Sequence, residues 1–452
     1  MRLLAFACMI CLFAANASGD EALQRTLRGY LEAHEANGDF MGEVIVADRS
    51  RILAHVVIGM ADIESARAHA PGDVYHVASL TKQFTGAAIA VLEGDGTLQL
   101  DDMLAEYIPD FPNASEITLR ALAQQTAGVP DYNDFDDYGT RLYSTMSLDE
   151  IVAWVGDNVG EFVPNGGHSY SNSHYALLAK VIEVASGMRY EDFLRQRILK
   201  PAGMRSSGNF GAEIVPRRVE GYDPGPDGTL INAPEPRNSI KLGSGSLYTT
   251  GPDLVRWHRA LLGDGLLDAD GLTLYLNPSE HGYAMGNSVW RDQSSGKRYS
   301  AHDGKAPGGF AYMRRWLDEG IALIVLSNVN SGQLNRLKAD LSAIVNGTAV
   351  KAPEPIHFRE LANGEAARVT GRYLFPPDSK IRIATNAGSL VLYWRDTGLA
   401  QYLTPLAESD WFYMRSRGER VRFIFDDDGR ATALEYDWGG GVQRCERTDS
   451  PG

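Results

Sequence analysis

Val77-Ala78-Ser79-Leu80-Thr81-Lys82-Gln83-Phe84 is the stretch on which the reading of this chain turns. A serine three residues ahead of a lysine is a weak pattern alone, so its context matters. Phe84, Ala88, Val91 and Leu92 recur at helical spacing and Gly94 offers a stop, so Ser79 is expected to open a buried helix. Lys82, one turn on, then shares a face with the serine hydroxyl, and the helix N-terminus supplies oriented N–H groups. A serine hydroxyl is a poor nucleophile at neutral pH and needs a base within hydrogen-bond reach. Lysine serves as that base only where burial and nearby positive charge push its pKa down.

Two more motifs follow in order, Tyr170-Ser171-Asn172 and His302-Asp303-Gly304. A tyrosine held beside the lysine can carry a proton to a leaving group, and Asn172 can donate to Lys82 or to a substrate carbonyl. The run Tyr175, Leu178, Val181, Ile182 up to Gly187 reads as a helix anchoring that loop. Three decoys repeat the patterns. Ser294-Ser295-Gly296-Lys297 lies in a polar turn where nothing would hold its lysine. Tyr275-Leu276-Asn277 runs into Pro278 and reads as a helix or turn end. Lys241-Leu242-Gly243 falls in a Gly/Ser stretch and reads as a loop.

Further segments extend the pattern. Leu98-Gln99-Leu100-Asp101-Asp102 leads to Tyr107-Ile108-Pro109, and Ile117-Thr118-Leu119-Arg120 leads to Thr126-Ala127-Gly128-Val129-Pro130. Gly245-Ser246-Leu247-Tyr248-Thr249-Thr250 precedes the third motif, and Pro307-Gly308-Gly309-Phe310 follows it. Together with the nucleophile stretch, these resemble the serine beta-lactamase-like family over about residues 21 to 346. That family holds class C beta-lactamases, low-molecular-weight penicillin-binding proteins, D-amino-acid peptidases and some esterases. The resemblance implies Ser79 as nucleophile, Lys82 as its base partner and Tyr170 as proton carrier. It implies an oxyanion hole from the backbone N–H groups of Ser79 and Lys305, with Asn172, His302 and Gly304 lining the substrate site. The fold it implies is α/β, a beta-lactamase/transpeptidase-like antiparallel sheet flanked by helices with an inserted helical lobe.

The chain departs from the family pattern twice. Beta-lactamases usually carry lysine-threonine-glycine at the third motif, where cation and hydroxyl receive a substrate carboxylate; histidine replaces the lysine in several peptidases and esterases. Here the middle residue is Asp303, a carboxylate that tends to repel a beta-lactam or a C-terminal D-alanine. Lys305 is a cation that can offset it. This favours an ester or neutral amide over an antibiotic. Gln124-Gln125 stands where the family often has threonine-histidine, a position associated with support of the loop. An ester or D-amino-acid amide is therefore the expected substrate. D-alanyl-D-alanine carboxypeptidase or beta-lactamase activity, and a noncatalytic peptidoglycan or peptide-binding protein, are the alternatives.

The rest of the chain fits such an enzyme. With 452 residues, 44% hydrophobic and 22% charged, it is of ordinary globular composition. Its net charge of −15 argues against nucleic acid or an anionic membrane as partner. The acidic run Asp131 to Asp137 reads as a solvated loop and Asp426 to Gly429 as a hairpin turn. Arg2, the apolar run Leu3 to Ala14 and Ala15-Asn16-Ala17 form a secretory leader over residues 1–17, which implies a periplasmic or secreted protein. The leader takes Cys8 and Cys11 with it and leaves Cys445 alone. No other run approaches the roughly 20 apolar residues of a membrane span. A hydrolase domain over 18–350 is followed, after Lys351-Ala352-Pro353-Glu354-Pro355, by alternating runs such as Ile381-Arg382-Ile383 and Val421-Arg422-Phe423-Ile424-Phe425. These predict an all-β domain over 351–452, a small antiparallel barrel or sandwich similar to the lipocalin-like tails of some family members, with packing as its expected role. Trp438-Gly439-Gly440-Gly441 reads as a hairpin turn. With no H-E-x-x-H, paired C-x-x-C, Walker loop or G-x-S-x-G elbow, neither metal nor organic cofactor is expected.

Overall fold

The computed structural model describes residues 19–448 with their side chains, apart from 212, 213, 227, 237, 238, 264, 293, 294, 378, 395 to 400 and 408. Of the leader expected over residues 1–17, its two cysteines included, only the backbone from Arg2 on is described, and the decoy Ser294 lies outside the described residues. The chain packs as two compact units. The first holds Gly42–Glu220 and Pro234–Asn328 with the chain up to Arg25; the second holds Thr26–Met41, Gly221–Ala233 and Val329–Gly452.

Glu43-Val44-Ile45-Val46-Ala47 has no polar face, which suits a strand covered on both sides. It forms β1 (Gly42–Ala47), buried throughout, at the heart of a six-stranded antiparallel sheet. The other strands are β2 (Ile52–Ile58), β3 (Ser288–Arg291), β4 (Arg298–Ala306), β5 (Gly309–Trp316) and β6 (Ile321–Ser327), in the spatial order β3-β4-β5-β6-β1-β2. β1 pairs with β6 from Gly42↔Ser327 to Ala47↔Ala322, so the sheet joins the two ends of this unit. β4 pairs with β3 only as far as Ala301; beyond that one edge is left to receive other parts of the fold.

The helices are α1 (Arg2–Ala36), α2 (Thr81–Gly94), α3 (Leu148–Asn158), α4 (Asn172–Ser186), α5 (Gly251–Leu262) and α6 (Leu334–Val345), with shorter turns between them. α2 is buried along almost its whole length, including Phe84, Ala88 and Leu92. Phe84 stacks on Trp257 of α5 with ring centroids 4.5 Å apart. Gln83 Oε1 accepts from Trp257 Nε1 at 3.2 Å and from the fully buried Arg315 Nη1 of β5 at 2.9 Å. One glutamine thus holds α2 to a helix and to the sheet. α3 opens with a capping box: Ser147 Oγ accepts from Glu150 N, and the Glu150 carboxylate takes Ser147 N at 2.7 Å. Tyr275 ends a helix, as its context suggests.

In the second unit, eight antiparallel strands from Gly371 to Arg447 close into a barrel, the first pairing with the last at Tyr373↔Arg447. Eight strands enclose just enough room for side chains to fill. Tyr373, Ile381, Leu392, Phe412, Phe423 and Leu434 fill it here, and Cys445 is buried with them as a free thiol. Alternation in the strands supplies these residues, the turns at Asp426 to Gly429 and Trp438 to Gly441 fall where the sequence places them, and a further turn lies at Ala387-Gly388. α6 and the end of α1 also belong to this unit. Within it Arg415 donates to Gly228 O and Asn37 O, with Nε 3.6 Å from the buried Asp39. Burial raises the Asp39 carboxyl to about 6 even so. No helix among the described residues is long and apolar enough to cross a membrane.

Ser147→Ala removes one half of the α3 capping box. It should cost about 1 kcal/mol, read as a lower urea midpoint of the transition that includes α3 at unchanged slope.

Candidate active site

Ser79 lies on a 3-10 turn, Ala78–Leu80, that leads into α2, one step ahead of the helix the sequence suggests. The turn is set by Ala78 at φ 44°, a left-handed conformation that costs a non-glycine residue about 1–2 kcal/mol. Thr81 pins it: its Oγ1 donates to Ala78 O at 2.7 Å and accepts from Leu247 N at 3.0 Å. Ser79 is left half-buried while Leu80, Thr81 and Lys82 are enclosed.

Lys82 is 0% exposed, so each proton of its ammonium needs a protein acceptor. Its Nζ lies 3.3 Å from Ser79 Oγ, 2.7 Å from Asn172 Oδ1 and 2.8 Å from Ser244 O. It also sits over the Tyr170 ring, 4.8 Å from its centroid. Burial is the main force lowering the Lys82 pKa to about 7; the charge of Lys241 adds to it and that of Asp131 opposes it.

Tyr170 and Asn172 flank Ser171, the N-cap of α4, whose hydroxyl accepts from Ser173 N. The Tyr170 hydroxyl bonds Ser79. Although the residue is 38% exposed, desolvation of that hydroxyl, with Asp303 and Asp131 adding repulsion, holds its pKa well above the ordinary tyrosine value. Asn172 accepts from Lys82 instead of donating to it, because its amide nitrogen is taken by Asp131 at 3.0 and 3.2 Å. Asp131 is therefore not part of a solvated loop, as its acidic neighbourhood suggests. It turns inward, caps the turn at Asn133, and orients the amide that holds the lysine.

The third motif lies on β4 past the end of β3. An added Cβ on Gly304 would lie 2.1 Å from Val77 O and 2.9 Å from Ser79 N, so only glycine lets this strand close on the Ser79 turn. His302 is buried, its Nδ1 2.6 Å from Asp303 O and its Nε2 2.9 Å from the Tyr283 hydroxyl. A carbonyl can only accept, so Nδ1 carries the proton and Nε2 accepts from the tyrosine. The His302 ring is 6.1 Å from that of Tyr170. Lys305 is exposed. Behind Tyr170, the buried Gln125 accepts from Ser171 N at 2.9 Å and lies 2.5 Å from His174 Nδ1. It braces the loop at the place where the family's histidine is absent.

The structure thus gathers Ser79, Lys82, Tyr170, Asn172, His302 and Gly304, with Gln125 at the loop-supporting position, and adds Asp131, Ser244 and Tyr283, whose parts motif reading passes over. Two decoys also differ from expectation. Lys297 is held, by Glu319 at 2.8 Å. Lys241 ends a 3-10 turn, but half-buried, and its charge reaches Lys82. Among the described residues no group of three or more His, Cys, Asp or Glu could hold a metal.

A serine bonded to both a tyrosine and a lysine of near-neutral pKa can lose its proton and attack an acyl carbon. The beta-lactamase family model matches residues 23–346. Penicillin-binding protein 4* of Bacillus subtilis (strain 168) is 28% identical over 426 residues, spanning 88% of this chain and 93% of that one. The D-amino acid amidase from Ochrobactrum anthropi SV3 superposes with a TM-score of 0.63 at 23% identity, covering 72% of this chain and 99% of its own. The octameric penicillin-binding protein homologue from Pyrococcus abyssi gives 0.62 at 19% identity, covering 92% of this chain and 98% of its own. At such identities both structures speak for the fold alone.

Gly304→Ala should push β4 off the nucleophile turn. The rate at which a phosphonate adds to Ser79 is expected to fall about a hundredfold while the circular dichroism spectrum stays unchanged.

Proposed function

The chain belongs to the beta-lactamase family of serine hydrolases, and we propose that this member cleaves esters or D-amino-acid-containing amides through an acyl-enzyme on Ser79. The observation that carries the reading is the state of Lys82. With a pKa of about 7 it is about half neutral at pH 7, against roughly one part in three thousand for an ordinary lysine. Tyr170, pushed the other way, stays a neutral phenol that donates to Ser79 or passes a proton on. Lys82 is then the base and Tyr170 the carrier.

In this reading Ser79 Oγ attacks the acyl carbon as its proton moves to Lys82 Nζ. The oxyanion forms against Ser79 N and Lys305 N, and the leaving group takes its proton through Tyr170. Water follows the same path to release the acid. Asn172, fixed by Asp131, keeps the ammonium from drifting as it forms.

Asp303 at the third motif supports a substrate without a carboxylate at that point, hence an ester or neutral amide ahead of a beta-lactam. The likeness to a relative named as a penicillin-binding protein supports a second reading, a D-alanyl-D-alanine carboxypeptidase. The leader read over residues 1–17 supports a periplasmic or secreted location, and we place the hydrolase domain at 18–350 and the β domain at 351–452.

The test is kcat/KM for a short-chain aryl ester against a capped D-alanyl-D-alanine peptide, with Ser79→Ala as background. The ester is expected to win and Ser79→Ala to lose essentially all activity; a preference for the peptide favours the carboxypeptidase, and an unchanged rate in Ser79→Ala removes the assignment. The ester kcat/KM should rise with pH through an apparent pKa of about 7. Asp131 favours the charged lysine, so Asp131→Asn should move that limb to lower pH; a limb that stays put or moves up contradicts Lys82 as the base.

A further inference from the structure

Lys241 is a cation beside the Ser79 turn with no counter-ion among the described residues. Its backbone is tightly set: Lys241 O accepts from Ser244 N at 3.0 Å, Gly245 N at 2.8 Å and Ser244 Oγ at 3.2 Å. The same Ser244 offers its own carbonyl to Lys82. The stem of Lys241 runs along Gly245, its Cδ 3.5 Å and Cβ 3.6 Å from where a Gly245 side chain would start, and Ala78 C lies 3.7 Å from that same point. Lys241 therefore extends beside the residue that precedes Ser79.

No carboxylate pairs with it among the described residues. Its titratable neighbours supply no opposite charge: its cation depresses both Lys82 and His76, whose Nε2 is 2.7 Å from Gly245 O. Burial brings Lys241 down to about 8, which leaves it mostly charged at pH 7. A half-buried cation facing no anion is a cost to the fold that a bound anion would repay.

We propose that Lys241 is a specificity-determining residue that receives a carboxylate carried by the substrate. This rests on the acyl-enzyme reading above and refines it. Asp303, on the β4 wall, turns an anion away, while Lys241, on the Ser244–Gly245 wall, accepts one. Together they set which end of an acidic substrate faces which wall. The carboxylate belongs either to the acyl group or to the leaving group.

Two pairs of esters separate these sources: 4-nitrophenyl hydrogen glutarate against 4-nitrophenyl butyrate, and 3-acetoxybenzoate against phenyl acetate. In Lys241→Gln, kcat/KM for the anionic member of one pair should fall about tenfold more than for its neutral partner, and Lys241→Arg should restore the preference. Equal losses within both pairs overturn the proposal and leave the acyl-enzyme reading intact, since they mean that Lys241 acts only on Lys82. Should the wild type hydrolyse none of the four, the acyl-enzyme reading fails, and binding decides about Lys241. Calorimetry with Ser79→Ala should then show monoethyl glutarate binding more tightly than diethyl glutarate. Loss of that difference in Ser79→Ala/Lys241→Gln supports the assignment; its persistence overturns it.

Discussion

An ammonium enclosed by protein must find an acceptor for each of its three protons, and Lys82 finds one on its own turn and one on each of two distant segments. Ser79 is three residues away, Asn172 ninety and Ser244 one hundred and sixty-two. The other arrangements of the first unit serve that convergence. α4 begins at Asn172 because Ser171 caps it; Gln125 and Asp131 brace its start; Thr81 and Tyr132 fasten the nucleophile turn and the Ser244 loop, the latter through a 2.6 Å bond to Ser244 Oγ. A buried lysine charge is expensive, and the fold limits that expense by making the neutral form nearly as good.

What can be read in the sequence follows from the range over which each interaction acts. Ser79 and Lys82 are legible because an i, i+3 pair in a helical run is local, and Gly304 because a glycine in a strand marks a close approach. β2, β4 and the alternating runs of the barrel are legible through period-two burial, and β1, β5 and β6 as short runs buried on both faces. Asp131 is hidden because what distinguishes it from Asp134 or Asp136 is its turn towards Asn172, forty-one residues on, which only the folded chain creates. Ser244 contributes a backbone carbonyl, which every residue has. Tyr283 matters through a bond to His302, and nothing near it in the chain says so.

The same reasoning covers the decoys. A motif reading treats Lys241 and Lys297 alike as lysines in loops. The structure separates them: Lys297 spends its charge on Glu319 at the surface, while Lys241 keeps its charge next to the catalytic lysine candidate. Composition cannot distinguish these two environments, because each differs only in which distant residues come to lie beside it.

The place of β1 between β2 and β6 governs when this protein can fold. β1 and β2 leave the ribosome first, but the strand that covers the other edge of β1 ends at Ser327. At ordinary rates of synthesis that partner follows roughly 15 to 50 s later. Meanwhile a strand that is wholly buried in the folded protein offers its unpaired backbone to any passing chain. A protein folded as it emerges must be shielded over that interval. One delivered whole and unfolded to its compartment has both edges of β1 available at once, and its sheet can close in a single event.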